Sequence, residues 1–326
     1  MSPRRPRVAL VLGGGGPVGH AYHCGVLRSV EDATGWDPRT ADLVVGTSAG
    51  AQVAALLRAG MGTADLFARV TGADMSPEGT AIARHYHRPR PGSDGAGRRW
   101  RPASPQRLLR ALRRPWEAHP GTIVAAVAPA GTTSLAPMVA GLREVFADGW
   151  PAAATWFVAL RVDTGQRVAF GRPGAPSADV GSAVAASCAV PGMFAPVEVE
   201  FSRYVDGGVV SPTNADLLAD ERCDLALILA PTTARTGAGM HADTALRHLL
   251  RAVLDAEVRK LAKAGIASYV VQPGATELKA MGVNALDVAR MEPVAHAARD
   301  AMAELLADPD ESGHLAALRT AAQAPR

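Results

Sequence analysis

The chain has 326 residues, of which 48% are hydrophobic, and a formal net charge of +3. That length suits one large α/β unit with a buried core, and the composition excludes a disordered or collagen-like chain. Lysine occurs only at Lys260, Lys263 and Lys279, so the mild basic balance is an arginine bias and names no nucleic-acid partner.

In chain order, the basic stretch Met1–Arg7 precedes Val8-Ala9-Leu10-Val11-Leu12. It resembles a secretion leader only at first sight, because the apolar run is short and ends in four glycines. Arg7–Leu12 reads instead as a buried parallel strand. A glycine loop and a helix over Gly19–Asp32 follow, then a strand over Ala41–Val45 and a helix over Ala49–Ala59. This alternation is the mark of βαβ units. Arg84–Pro120 holds ten arginines against Asp94 and Glu117. It reads as an insertion, with a loop around 90–105 and a short basic helix around Gln106–Arg114. Thr155–Arg161 and Gln166–Phe170 flank Asp163-Thr164-Gly165 as a β-hairpin. Val180–Ser187 reads as a short helix, and Val197–Val205 as a strand running into Asp206. Leu225–Leu229 and Ile266–Val271 are two more buried strands with a helix over Ala242–Ala264 between them. Asn284–Ala307 reads as helical. No repeat or linker divides the chain, so residues 1–326 are expected to be a single domain. Cys24, Cys188 and Cys223 are widely spaced, which fits a reducing compartment and neither a disulfide framework nor a zinc site. No apolar window is long enough to cross a bilayer. The expected location is cytoplasmic, with at most peripheral contact to a membrane.

Three motifs carry chemistry. Gly46-Thr47-Ser48-Ala49-Gly50 lies between a predicted strand and a predicted helix. A serine on such an elbow points out of the sheet as a nucleophile, and glycines on each side remove Cβ atoms that would clash. Its alternative is a plain strand–helix turn. Gly13-Gly14-Gly15-Gly16-Pro17-Val18-Gly19 follows the first strand. Its backbone amides suit an oxyanion or a phosphate. Gly14-x-Gly16-x-x-Gly19 also matches a dinucleotide fingerprint formally, but the second strand lacks the acid that this fingerprint needs at its end. Asp206-Gly207-Gly208 follows an apolar strand. Asp206 there is either the base that takes the Ser48 proton or a tight-turn residue. His20, His23, His85, His87, His119, His241, His248, His296 and His314 have no signature of a triad base.

Together these motifs resemble the patatin-like phospholipases, over roughly residues 7–215. Ser187-Cys188-Ala189-Val190-Pro191-Gly192, ahead of the aspartate, is similar to the family's corresponding segment. The resemblance implies a three-layer α/β/α sandwich with a mostly parallel sheet. It implies a Ser48–Asp206 dyad, an oxyanion hole lined by the amides of Gly14, Gly15 and Gly16, and acyl-ester hydrolysis with no cofactor and no metal. The other motif glycines are Gly19, Gly46, Gly50, Gly207 and Gly208. One position departs from the family pattern. A basic residue usually precedes the last glycine of the loop, and here it is Val18, preceded by Pro17. A catalytically weak or inactive lipid-binding regulator is therefore the alternative to a lipid esterase. The arginine-rich segment reads most simply as a solvated loop. Its alternative is contact with anionic lipid, with Trp100 and Trp116 as anchors. The partner implied is a lipid or acyl-ester substrate, with no nucleic acid. Acyl chain, headgroup and oligomeric state stay open.

Overall fold

The computed structural model describes residues 4–86, 131–238 and 243–324. β1 (Val8–Leu12) and β2 (Leu43–Gly46) are apolar runs that end at glycine, as expected. β1 pairs in parallel with β2 on one side and with β7 (Leu225–Leu229) on the other. β2 continues in parallel to β3 (Ala154–Arg161), and β7 to β8 (Ala267–Val271). The hairpin of β3 with β4 (Arg167–Phe170) is antiparallel, as are β3 with β6 (Ser202–Asp206) and β6 with β5 (Val197–Val199). The eight-stranded sheet runs β5-β6-β3-β2-β1-β7-β8, with β4 on β3.

Alternate residues of one strand enter opposite cores. Val8, Leu10 and Leu12 join one apolar cluster, and Ala9 and Val11 the other. Leu225, Leu227 and Leu229 divide from Ala226 and Ile228 in the same way. Both faces must therefore be covered. The first face carries α1 (Gly16–Thr34), α2 (Ala49–Arg58), α3 (Thr63–Thr71), α4 (Pro77–His85), α5 (Ala136–Val145) and α6 (Val180–Cys188). α7 (Thr244–Lys263) packs Leu254 and Leu261 on the second. α8 (Ala275–Met281) and α9 (Met291–Ala307) return to the first. This is the three-layer α/β/α arrangement.

Three boundaries differ from the sequence reading. α1 begins at Gly16, because Pro17 fits the first turn, where its missing N–H has no helical partner to lose. The expected strand over 197–205 is a hairpin, turned at Glu200 (φ 44°) and Phe201 (φ 62°). Residues 284–290 are not α-helical, since Asn284 and Asp287 accept hydrogen bonds from the amides of Leu286 and Ala289 and hold local turns. The expected basic helix at 106–114, Trp100, Trp116, His87, His119 and His241 lie outside the described residues. Among the described residues no helix is long and apolar enough to cross a membrane.

Candidate active site

The three motifs meet at the carboxyl edge of the parallel strands, the usual ligand side of such a sheet. Leu12 is in register with Gly46, and Gly46 with Phe157. Asp206 stands opposite Ala159, two residues further along β3. Ser48 sits between β2 and α2 at φ 53°, ψ −118°, a strained conformation for a residue with a Cβ. The turn is tight enough that a Cβ on Gly50 would lie 2.0 Å from the Leu12 carbonyl oxygen. The end of α6 holds both sides of the Ser48 backbone. The Ser48 N–H donates to Ser187 Oγ at 3.0 Å, and Cys188 Sγ donates to the Ser48 carbonyl at 3.3 Å. Ser187 Oγ in turn donates to the Val158 carbonyl at 2.7 Å.

Asp206 is 3% exposed. Its carboxylate accepts the Gly208 N–H at 2.7 Å. Burial pushes the Asp206 pKa up to about 7, against the opposing pull of the Ser48 hydroxyl and the Gly208 amide. The Ser48 hydroxyl is thus near enough to the carboxylate to oppose the rise in its pKa. Gly207 opens a short 3-10 turn that aims the Gly208 amide back at the carboxylate.

The glycine loop revises one expectation. The Gly14 N–H donates to the Pro212 carbonyl at 2.8 Å, so it is occupied and does not point at the serine. Gly14 still lies against the elbow, since a Cβ there would be 3.3 Å from Ser48 Cβ. Gly15 (φ 152°) and Gly16 (φ 60°) take up the sharp turn into α1. Their N–H groups donate to no protein acceptor among the described residues. They sit at the positive end of α1, where an anion is favoured. The Gly19 N–H closes the first turn onto the Gly15 carbonyl at 2.8 Å. His23 Nε2 meets the Gly13 carbonyl at 2.7 Å. Burial lowers its pKa to about 4, so the ring is neutral and supports the loop as a donor. Val18 is buried in the core, and its N–H donates to the Ala285 carbonyl at 3.2 Å. Among the described residues no three His, Cys, Asp or Glu side chains are grouped to hold a metal ion.

The model of the patatin-like phospholipases matches residues 10–219, which include the glycine loop, the elbow and Asp206-Gly207-Gly208. The chain belongs to that family. No curated protein matches it. Among solved structures, VipD from Legionella pneumophila is similar at 12% identity and TM-score 0.42, over 94% of this chain and 67% of that one. The type III effector protein ExoU is similar at 17% identity and TM-score 0.33, over 98% of this chain and 54% of that one. The chain thus spans about half of ExoU.

In this patatin-like chain a second set of residues, which the sequence reading did not identify, ties the motifs together. Segment 211–215 runs beneath the site. Its Pro212 carbonyl takes the Gly14 N–H, and Asn214 Nδ2 donates to Thr47 Oγ1 at 3.0 Å. Ser211 Oγ accepts the amides of Thr213 and Asn214 at 3.2 and 3.0 Å. Glu257, on α7, is buried below. Its carboxylate accepts the Thr213 hydroxyl and, at 3.2 Å, the Ala215 N–H. Burial raises its pKa to about 7. Ser187 lay within a segment already noted for its likeness to the family. Asn214 and Glu257 carry no local signal, because each works on a partner distant in sequence.

Proposed function

We propose that this chain is a serine acyl hydrolase of lipid esters, of the phospholipase A or lysophospholipase type, working through a Ser48–Asp206 dyad. The observation that carries the reading is the pairing of a strained, outward-facing serine with a buried carboxyl whose pKa stands near neutrality. Such a group is ionised enough to take a proton and basic enough to hold it. Asp206 accepts the Ser48 proton as Oγ bonds to the ester carbonyl carbon. The oxygen that becomes negative is met by the Gly15 and Gly16 amides and the positive end of α1. The C–O bond to the alcohol breaks, the alcohol leaves with the proton from Asp206, and the acyl group stays on Ser48. Water then gives its proton to Asp206 and its oxygen to the acyl carbon. The fatty acid departs and Ser48 recovers its proton.

Two features support turnover over a lipid-binding regulator. Val18 packs inward, so the residue in place of the usual basic one is part of the core. Pro17 lies in the first turn of α1, where it removes no hydrogen bond. The rim beside Gly16 carries the exposed side chains of Val283, Leu286 and Val288, an apolar surface suited to an acyl chain or a lipid interface. The test is a panel of p-nitrophenyl esters and phospholipids, run on wild type, Ser48→Ala and Asp206→Asn with folding checked by circular dichroism. Hydrolysis by wild type and loss in both variants is expected. Hydrolysis that survives Ser48→Ala sinks the reading. Lipid binding with no turnover of any ester by the wild type establishes the regulator instead.

A further inference from the structure

The thiol that donates to the Ser48 carbonyl is itself held. Gln52, one turn into α2, donates through Nε2 to Cys188 Sγ at 3.3 Å. The Tyr86 hydroxyl, just after α4, donates to Gln52 Oε1. Gln52 is the single polar side chain between Ala49 and Leu57, in a stretch of helix otherwise built of Ala, Gly, Val and Leu. A polar group in such surroundings needs hydrogen-bond partners, and here both ends of its amide have one.

Chemistry fixes the direction of every link. The Ser48 carbonyl only accepts, so the Cys188 thiol donates to it at 3.3 Å. The sulfur then has only lone pairs left, and Gln52 must present its N–H to them. That leaves the Gln52 carbonyl for Tyr86, and the phenol must donate to it. Burial, with the Asp206 charge nearby, pushes the Cys188 thiol well above its ordinary range, so the thiol keeps the proton it donates. The groups thus form one relay, from Tyr86 through Gln52 and Cys188 to Ser48. Hydrogen bonds in such a series polarise and strengthen one another.

The far end of the relay is anchored in two other helices. The Arg69 guanidinium, on α3, lies over the Tyr86 ring, 4.2 Å from its centroid. Its Nη1 donates to Nε2 of the buried His20 at 3.4 Å. His20 follows Gly19 in α1, the helix that begins at the glycine loop. At the near end, the Ser48 carbonyl also accepts the Ala51 N–H at 2.9 Å and the Gln52 N–H at 3.3 Å. Those two donors belong to the helix that Ser48 begins, whereas the thiol belongs to α6 and holds the carbonyl from another element. The direction of that carbonyl is the ψ of Ser48. A donor fixed outside the turn therefore opposes relaxation of the strained pair φ 53°, ψ −118°.

We infer that Gln52 and Tyr86 are positioning residues for the nucleophile, acting through Cys188 to hold the Ser48 backbone in its reactive conformation. The inference rests on the serine-hydrolase reading and adds to the dyad a support that neither the elbow nor the aspartate motif contains.

The test is a double-mutant cycle on the full chain. Its readouts are the rate of fluorophosphonate labelling of Ser48, and kcat and KM on a p-nitrophenyl ester. Cys188→Ala removes the donor to Ser48 and the acceptor of Gln52 together. Gln52→Leu removes the middle of the relay, and Tyr86→Phe removes only its first donor and keeps the ring beneath Arg69. Each is expected to slow labelling and lower kcat by about 2–10-fold, as for one neutral hydrogen bond, with KM little changed. In the Cys188→Ala background Gln52→Leu should have no further effect, because its action passes through the thiol. Cys188→Ser keeps a donor and an acceptor and should recover most of the loss. A Gln52→Leu effect of equal size in both backgrounds, an effect on KM alone, or no effect in either background overturns the inference. A second readout needs no turnover. The infrared S–H stretch of Cys188, assigned by its disappearance in Cys188→Ala, should shift in Gln52→Leu and, by less, in Tyr86→Phe. A band that stays in place in both overturns the relay. A wild type that hydrolyses esters through Ser48, with additive effects in the cycle, refutes this inference alone. One that neither labels nor hydrolyses refutes the hydrolase reading, and the S–H band then decides the relay.

Discussion

Replacing Ser48 separates its chemistry from its backbone. At φ 53°, ψ −118° the residue is held where a Cβ is disfavoured. Strain of this kind costs of order 1–3 kcal/mol, sustained by the surrounding contacts. Here those contacts are the Ser187 hydroxyl on its N–H and the Cys188 thiol on its carbonyl. Ser48→Ala and Ser48→Gly both remove the hydroxyl and its contact with Asp206, so the comparison between them cancels that loss. Glycine alone relieves the strain, and it returns about 0.5–1 kcal/mol through unfolded-state entropy. At the middle of both ranges the glycine variant should thus be the more stable by about 1 kcal/mol. At roughly 2–4 °C per kcal/mol, as for domains of about 150–250 residues, that is a melting-temperature gap of about 2–4 °C. Differential scanning calorimetry at pH 7.5 reads it. Equal melting temperatures, or a glycine variant below the alanine one, would refute the claim that the elbow stores strain. Gly50→Ala gives the opposite sign, because its Cβ would meet the Leu12 carbonyl oxygen at 2.0 Å. Overpacking of this sort costs about 1–3 kcal/mol or more.

The remaining expectations concern pH, the oxyanion loop and the support beneath it. Because the Asp206 pKa is raised to about 7 and the base must be ionised, kcat/KM on a neutral ester should rise with pH and level off above about 7. A profile flat from pH 5 to 9 would exclude Asp206 as the base. The same shift has a stability sign: a carboxyl whose folded pKa lies above its free value stabilises fully at low pH and loses that contribution as pH rises through about 7. Asp206→Asn should therefore gain melting temperature over wild type as pH goes from 5 to 8, while activity is abolished; a constant gap contradicts this. Gly16→Ala places a Cβ 2.6 Å from the Ala285 carbonyl oxygen and should displace the loop, lowering kcat by about 10²–10³ if one oxyanion donor is lost. Glu257→Ala leaves the Thr213 hydroxyl and Ala215 amide unpaired in the core, at about 1–3 kcal/mol each. It should reduce kcat more than it raises KM, and Glu257→Gln should restore most of the loss. Equal activity in the two variants would show that Glu257 does not position the loop.

How much of this was legible depended on how local each feature is. β1, β2 and β7 announce themselves as apolar runs, two of them ending at glycine, and the elbow follows because its strand and helix are both visible. α1 starts at Gly16, three residues before the start that the sequence suggests, since consecutive glycines look like loop whether or not they enter a helical turn. The hairpin at Glu200-Phe201 was hidden because its turn carries neither Gly, Asn nor Asp, the residues that usually take positive φ. The strand-like alternation of residues 197–205 therefore reads as one strand. The Gly14 amide was expected at the oxyanion and is instead bonded to Pro212, a contact no spacing reveals. The same holds for Ser187 on Ser48 and Asn214 on Thr47, whose partners lie 139 and 167 residues away. Motifs show which groups can react, and only the fold shows which backbone amides are already engaged.

The most direct measurement of the central claim is covalent labelling by a fluorophosphonate, read by intact mass and peptide mapping. Wild type should take up one equivalent on Ser48. Asp206→Asn should label far more slowly, and Ser48→Ala should take up none while remaining folded. An unlabelled Ser48 in well-folded wild type, or equal labelling rates in wild type and Asp206→Asn, would contradict the account.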